Sequence, residues 1–250
     1  MTRFVGLDWA GTGWIAIESP DGATVEGAYY PSALAAVRAN SDAESILVDV
    51  PIGLPEAGRR DCDRLARQEL GGRASTVFDV PVREAVYADS YDRACDLNEA
   101  ATGRRISTQS YHLCPRIREV DALVRTLPAA RGRLREAHPE ACFARLAGEP
   151  MAAAKTTEKG LERRRELLGA HTAADAPGAI ERAFLDDQPI HARRLRADCR
   201  DDILDAFVLC VTAAGPVESL PGTPPRDRHG LPMEIVVPAT DGRGSGGGPP

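Results

Sequence analysis

The alternation of apolar and polar positions changes character several times along the chain. Phe4-Val5-Gly6-Leu7-Asp8-Trp9-Ala10, Trp14-Ile15-Ala16-Ile17-Glu18 and Thr24-Val25-Glu26-Gly27-Ala28-Tyr29-Tyr30 read as three strands. The turns between them carry Gly11, Gly13 and Pro20-Asp21-Gly22, which predicts an antiparallel meander. Pro31-Ser32 then opens a short helix, with Leu34 and Val37 on one face. Ser45-Ile46-Leu47-Val48-Asp49-Val50 is a continuous apolar run ended by Pro51 and Pro55, as for a buried central strand.

From residue 51 to about 130 the chain is polar, arginine-rich and helical in rhythm, around Asp61–Leu70, Tyr91–Thr102 and Tyr111–Leu127. This stretch reads as a helical insertion after the fourth strand. Arg133–His138 predicts a fifth strand, and Pro139 suits the first turn of a following helix. Residues 155–187 and Asp201–Ala214 read as helical, and Met233–Val237 as a last strand. The expectation is a single α/β domain over 1–238, a mixed five-stranded sheet flanked by helices. Residues 239–250, rich in glycine and proline, read as a disordered tail.

Composition narrows the picture. The 250 residues are 43% hydrophobic and 27% charged, which is globular. The net charge of −6 excludes a polybasic nucleic-acid coat. Lys155 and Lys159 are the only lysines among 31 basic residues. The amino terminus lacks the pattern of a signal peptide. The longest apolar run, Ala206–Gly215, is far below the roughly 20 residues a membrane span needs. A cytoplasmic protein without a membrane partner is expected. The six cysteines form no CxxC pair, so buried free thiols are expected rather than zinc ligands or disulfides.

The chemistry lies in acids that apolar surroundings should not tolerate. Asp8 and Asp49 sit near the ends of apolar strands, where ligand sites of α/β sheets collect. A buried carboxylate shifts its pKa or finds a cation. In the helix Asp201-Asp202-Ile203-Leu204-Asp205-Ala206-Phe207, Asp201 and Asp202 suit a cap and the helix dipole. Asp205 lies a turn further in, on a helix apolar nearly all round, so it is expected to be buried. Glu140 stands at the junction His138-Pro139-Glu140, where a first-turn acid also favours the dipole. If the sheet gathers these acids, a divalent cation relieves their repulsion, and carboxylate oxygens suit Mg²⁺ or Mn²⁺. Such ions can activate water against a phosphodiester. No serine, cysteine or histidine constellation competes.

Five segments in order carry a resemblance. Gly6-Leu7-Asp8-Trp9-Ala10, Asp49-Val50-Pro51-Ile52-Gly53-Leu54-Pro55, His138-Pro139-Glu140 with Phe143, Lys155/Lys159-Gly160/Arg164, and Asp201-Asp202-Ile203-Leu204-Asp205-Ala206 resemble domain-of-unknown-function family 429. That family is described as predicted nucleases of RNase H-like fold, and the resemblance spans about residues 3–238. It implies an RNase H-like site in which Asp8, Asp49, Asp202 and Asp205 hold metal. Glu140 has no counterpart in the minimal RNase H set, yet it joins the candidate catalytic acids. Lys155, Lys159 and Arg164 are the candidate substrate-binding residues, and nucleic acid is the implied substrate. Gly11-Thr12-Gly13-Trp14 reads as a hairpin turn or a phosphate cradle. Arginines such as Arg59, Arg64, Arg73, Arg83 and Arg104 either line a backbone-binding groove or form solvated faces. Two other functions compete: a non-catalytic binding module that keeps the acids for structure, and an actin- or sugar-kinase-like nucleotide binder.

Overall fold

A computed structural model of the chain describes residues 2–186, 195 and 199–240. The five-stranded sheet runs β3-β2-β1-β4-β5, formed by β1 (Arg3–Trp9), β2 (Trp14–Ser19), β3 (Glu26–Tyr30), β4 (Ala43–Val48) and β5 (Leu134–Glu136). The meander pairs antiparallel, whereas β1–β4 and β4–β5 are parallel. The mixed sheet is therefore as expected. Its two faces follow from strand alternation. Val5, Leu7, Ile46 and Val48 face α1 (Ala33–Ala39) and α5 (Thr108–Thr126). Ile15, Ile17 and Leu47 face α6 (Pro139–Ala147), α7 (Glu158–His171), α8 (Ala176–Leu185) and α9 (Arg200–Ala214). All six cysteines are buried, and none of them forms a disulfide. Among the described residues no helix is long and apolar enough to cross a membrane.

Between β4 and β5 lie α2 (Asp61–Leu70), a 3-10 turn over Gly71–Thr76, α3 (Arg83–Val86) and α4 (Tyr91–Thr102), followed by α5. Helix α5 is no appendage. Its Cys114, Ile117, Val120 and Val124 belong to the core under the sheet.

Three sequence expectations are corrected. Leu34 is 39% exposed, and the inner face of α1 is Ala33, Ala36 and Val37. Ser32 sets that phase by accepting the Ala35 amide with its side chain. The last strand is Ile235–Pro238 (β7), and it pairs antiparallel with Val217–Leu220 (β6), which the sequence pattern does not reveal. Four residues between Pro216 and Pro221 are too few to display an alternation. A single bridge, Ala137 to Val236, joins this ribbon to the edge beyond β5. The helical stretch 155–187 breaks at residues 172–175 and begins only at Glu158, with Thr157 as its cap. Residues 241–250 of the expected tail, and residue 187, lie outside the described residues.

The segment after β4 is held rigidly. The Ile52 amide donates to Glu136 Oε2 at 2.7 Å, and Gly53 takes a φ of +77°. A Cβ on Gly53 would fall 2.4 Å from the Pro232 carbonyl oxygen, so glycine is required twice over. The Leu54 amide donates to Asp227 Oδ2 at 3.2 Å. Behind these contacts stand two buried arginines. Arg60 grips both Glu136 oxygens at 2.7 Å and Asp63 Oδ1 at 2.6 Å. Arg83 bridges Asp121 Oδ2 (2.8 Å) and Asp227 Oδ2 (2.5 Å). Removing one partner of a buried ion pair costs about 3–5 kcal/mol, because the remaining charge stays buried. Arg60→Met is expected to lose stability in that range by chemical denaturation. A change below about 1 kcal/mol would mean the network carries little.

Candidate functional site

The carboxyl ends of β1 and β4 build the site. Leu7 pairs with Val48 in the parallel ladder, so the next residues, Asp8 and Asp49, lie side by side. The Asp49 amide donates to the Leu7 carbonyl at 3.1 Å and fixes that register. By alternation Asp8 shares a face with Gly6, and Asp49 shares that face with Leu47. This is the face covered by α9.

Gly6 sets how closely α9 crosses. A Cβ there would lie 2.0 Å from the Ala206 carbonyl oxygen and 2.4 Å from the Cys210 amide nitrogen. With backbone against backbone at Ala206, the preceding turn of α9 brings Asp202 and Asp205 over Asp8. Both are buried, at 6% and 2% exposure, and Asp8 is 7% exposed. Asp49 is half-buried.

Their electrostatics reflect that crowding. Burial, then Asp49, Asp202 and Asp205, push the Asp8 carboxyl well above the usual carboxylate range, while Lys155 pulls it down. Burial also raises Asp49, against His138 and with Asp205. Asp205 is raised by burial against the pull of Lys155. Asp8 Oδ1 accepts the Trp9 amide at 2.7 Å. Asp205 Oδ1 is buried without a hydrogen-bond partner.

Among the described residues, Lys155 brings an ammonium into this cluster. Lys155 Nζ lies 2.5 Å from Asp205 Oδ2 and 3.4 Å from Asp201 Oδ2. Burial works against its charge, but Asp205 and Asp8 outweigh it and hold the ammonium well above its ordinary range. Lys155 does not lie on a basic helix face. It sits in the loop before α7, free of helix geometry, and reaches 50 residues along the chain to α9.

Glu140 and Arg164, expected in catalysis and substrate binding, are instead partners of each other. Arg164 Nη2 donates to Glu140 Oε2 at 2.6 Å, and the arginine side chain is wholly buried. Its Nη1 donates to the Gly160 carbonyl at 3.0 Å, and its guanidinium lies 5.2 Å from the Phe143 ring. A fully buried guanidinium has no surface to offer a substrate. The pair ties α6 to α7 and so fixes the two elements flanking the Lys155 loop. Arg73 adds a second tether, donating to the Met151 carbonyl at 3.0 Å. Lys159 is exposed on α7.

Two groups escape the sequence reading. Asp201 joins Lys155 besides starting α9, whose cap position, Cys199, makes no side-chain capping bond. His138 caps α6 through Nδ1, which accepts from the Ala141 amide at 3.4 Å. Its Nε2 lies 3.3 Å from the Thr76 carbonyl, so Nε2 carries the proton in this network. The Gly11–Trp14 segment is a hairpin turn. Ala10 N donates to Gly13 O at 2.9 Å and Thr12 N to Ala10 O at 3.0 Å, so those amides are already engaged.

Among the described residues the donor chemistry suits a hard divalent cation: clustered carboxylate oxygens, and an Asp205 oxygen without a hydrogen-bond partner. Among the described residues, however, no three His, Cys, Asp or Glu side chains form a ready-made metal site. Lys155 stands beside Asp205, where a cation would be held.

The fold and site thus define an α/β protein with a buried carboxylate cluster at the carboxyl edge of a mixed sheet. The chain belongs to the family described as protein of unknown function (DUF429), whose profile matches residues 6–226. No curated protein and no solved structure matches it.

Proposed function

We propose that this protein is a divalent-metal-dependent phosphodiesterase acting on nucleic acid, with Mg²⁺ or Mn²⁺ held by Asp8, Asp49, Asp202 and Asp205. The observation that carries the proposal is the gathering of these four carboxylates, three of them at most 7% exposed, beside the ammonium of Lys155. Buried repulsion on this scale costs stability unless a stronger cation answers it. The strand order, with the acids at the ends of its first and fourth strands and on the last long helix, supports an RNase H-like reading of the fold.

When bound, the metal supplies positive charge for the phosphoryl oxygens and lowers the pKa of water. The remaining roles fall to the chain. Asp8 and Asp49 are positioned by the β1–β4 register, and the clamped 50–54 segment keeps Asp49 from moving away. Lys155, displaced from Asp205, offers its ammonium to a non-bridging phosphate oxygen. Glu140 and Arg164 keep the Lys155 loop in place. Incubation with labelled DNA, RNA and hybrid strands tests the reading. Cleavage with Mn²⁺ or Mg²⁺ that stops in EDTA is expected; cleavage indifferent to EDTA would contradict it.

Lys155 gives a separate expectation. Without metal, Lys155→Met is expected to lower stability by about 1–2 kcal/mol, less than for a fully buried pair because the side chain is 39% exposed. With the ammonium gone, the gain in Tm on adding Mn²⁺ is expected to exceed that of the wild type. An unchanged metal response would remove Lys155 from competition with the cation.

One observation favours a second reading, a non-catalytic binding module. Lys155 already partly neutralises the cluster, and no metal site stands preformed among the described residues. That reading expects no stabilisation by Mn²⁺ at all.

A further inference from the structure

A groove of about 220 Å³ opens in the helical region, away from the carboxylates. Arg59, Arg104 and Arg105 line it, with Phe78 and Ile106 on its apolar wall and Asp79 as its one lining carboxylate. Arg59 Nη2 lies 2.9 Å from Asp79 Oδ2, and Arg67 Nη2 lies 2.8 Å from Asp79 Oδ1. Arg104 approaches the same carboxylate only to 4.0 Å. Three guanidiniums thus converge on one acid. Arg105 is occupied from the outer side by Asp96 (3.0 Å), Glu99 (3.4 Å) and Asp92 (4.0 Å) of α4. Arg59 and Arg104, by contrast, are 45% and 67% exposed in their side chains and remain open to a further anion.

The groove is built rather than incidental. Asn98 accepts the Val82 amide at 3.0 Å and donates to the Arg104 carbonyl at 2.8 Å, which fixes the turn that carries Arg104. The amino end of the 19-residue helix α5 faces the groove through Ser107 and Ser110, with no acidic residue in its first turn. Ser107 caps that end by accepting the Ser110 amide at 3.0 Å, and the helix dipole adds positive potential there.

Both walls spring from segments that touch the carboxylate site. Thr76 meets His138, which caps α6 and neighbours Asp49. Phe78 is two residues further on, about 7 Å of extended chain. On the other side Arg59 precedes Arg60, whose guanidinium bonds the Ile52 carbonyl at 3.2 Å, in the segment that follows Asp49. The volume is below the roughly 300–1,000 Å³ of pockets for whole small ligands. It suits one unit of a longer chain: a phosphate for the guanidiniums and a planar base for Phe78.

We propose that the groove between Arg59, Phe78 and Arg104 is a subsite for the backbone of a single nucleic-acid strand, beside the bond that lies at the Asp8 cluster. The placement of that bond rests on the nuclease reading above; the binding itself does not. The test is anisotropy of a short fluorescein-labelled DNA single strand in EDTA, where no cleavage intervenes, across a range of potassium chloride concentrations. Wild type is compared with Arg59→Ala/Arg104→Ala, with the double lysine variant, and with Arg38→Ala on the exposed side of α1 as control.

The double alanine variant is expected to bind roughly tenfold more weakly. Its salt slope is expected to fall by about 0.7, the contribution of the one single-strand phosphate that the groove no longer neutralises. The lysine variant should keep the slope, and Arg38→Ala should match wild type. Equal affinity and slope in the alanine variant, or no binding by wild type at low salt, would overturn the proposal. Either result leaves the metal titration of the carboxylates to be judged separately. Conversely, weakened binding in the alanine variant with no metal response in wild type would keep the groove and remove the nuclease.

Discussion

Gly6→Ala is expected to cost at least about 3 kcal/mol, and the protein is expected to lose its site along with its stability. Inserting atoms into a packed core costs about 1–3 kcal/mol when side chains can shift. Here the obstacles are backbone atoms, the Ala206 carbonyl and the Cys210 amide, at 2.0 and 2.4 Å. Relief requires α9 to withdraw from β1, the contact that places Asp202 and Asp205 over Asp8. Any folded fraction is therefore expected to respond weakly to metal. Denaturant midpoints of Gly6→Ala and of Gly72→Ala would measure this, because a Cβ at Gly72 meets open space. The control should change by no more than about 0.5 kcal/mol. Equal midpoints for the two variants would refute the backbone-contact argument.

Asp8→Asn is expected to lower metal-dependent hydrolysis by at least about a hundredfold, since removing a single group that acts electrostatically on a transition state costs about 10²–10³. Without metal the same change is expected to stabilise. The sign follows from linkage. The folded Asp8 carboxyl is raised by burial and by its acidic neighbours. The folded state thus holds a proton that the unfolded chain has released above its ordinary pKa of about 3.9. Stability is lost as pH rises from there through the folded value. Asparagine removes that loss. In EDTA, melting at acid and at neutral pH should show wild type falling more steeply than Asp8→Asn. A parallel pair of curves would mean Asp8 feels no repulsion. Full hydrolysis by the variant would remove Asp8 from the reaction.

Much of this arrangement is legible in the residues, for physical reasons. Asp8, Asp49 and Asp205 are conspicuous because a charge inside an apolar run needs an answer wherever the chain folds. That β1 and β4 lie parallel and bring these acids side by side is seen only in the fold. Glu140 is harder to place. A first-turn acid beside His138-Pro139 suits both a dipole and a site, and only the fold shows Arg164 reaching it from 24 residues away. Lys155 reads as helical because its neighbours have helical rhythm, but Thr157 starts the helix later and leaves the lysine in a loop. The β6–β7 ribbon escapes because its first strand is four residues between prolines. Of the buried networks of Arg60 and Arg83, only the Arg60–Asp63 spacing is local. Their partners Glu136 and Asp227 lie 76 and 144 residues along the chain.

The central claim is that the carboxylates around Lys155 take a divalent cation. Its most direct test is the Tm of wild type and of Asp8→Asn against Mn²⁺ concentration, with Mg²⁺ in parallel. At a hundredfold excess over Kd, a ligand of the native state alone stabilises by about 2.7 kcal/mol. For a chain of this size that is a rise of roughly 5–10 °C. Such a saturable rise in wild type, lost in Asp8→Asn, is the expected result. A flat wild-type titration, with the metal-free variant the more stable protein, would contradict metal binding and leave the acids as a structural cluster beside Lys155.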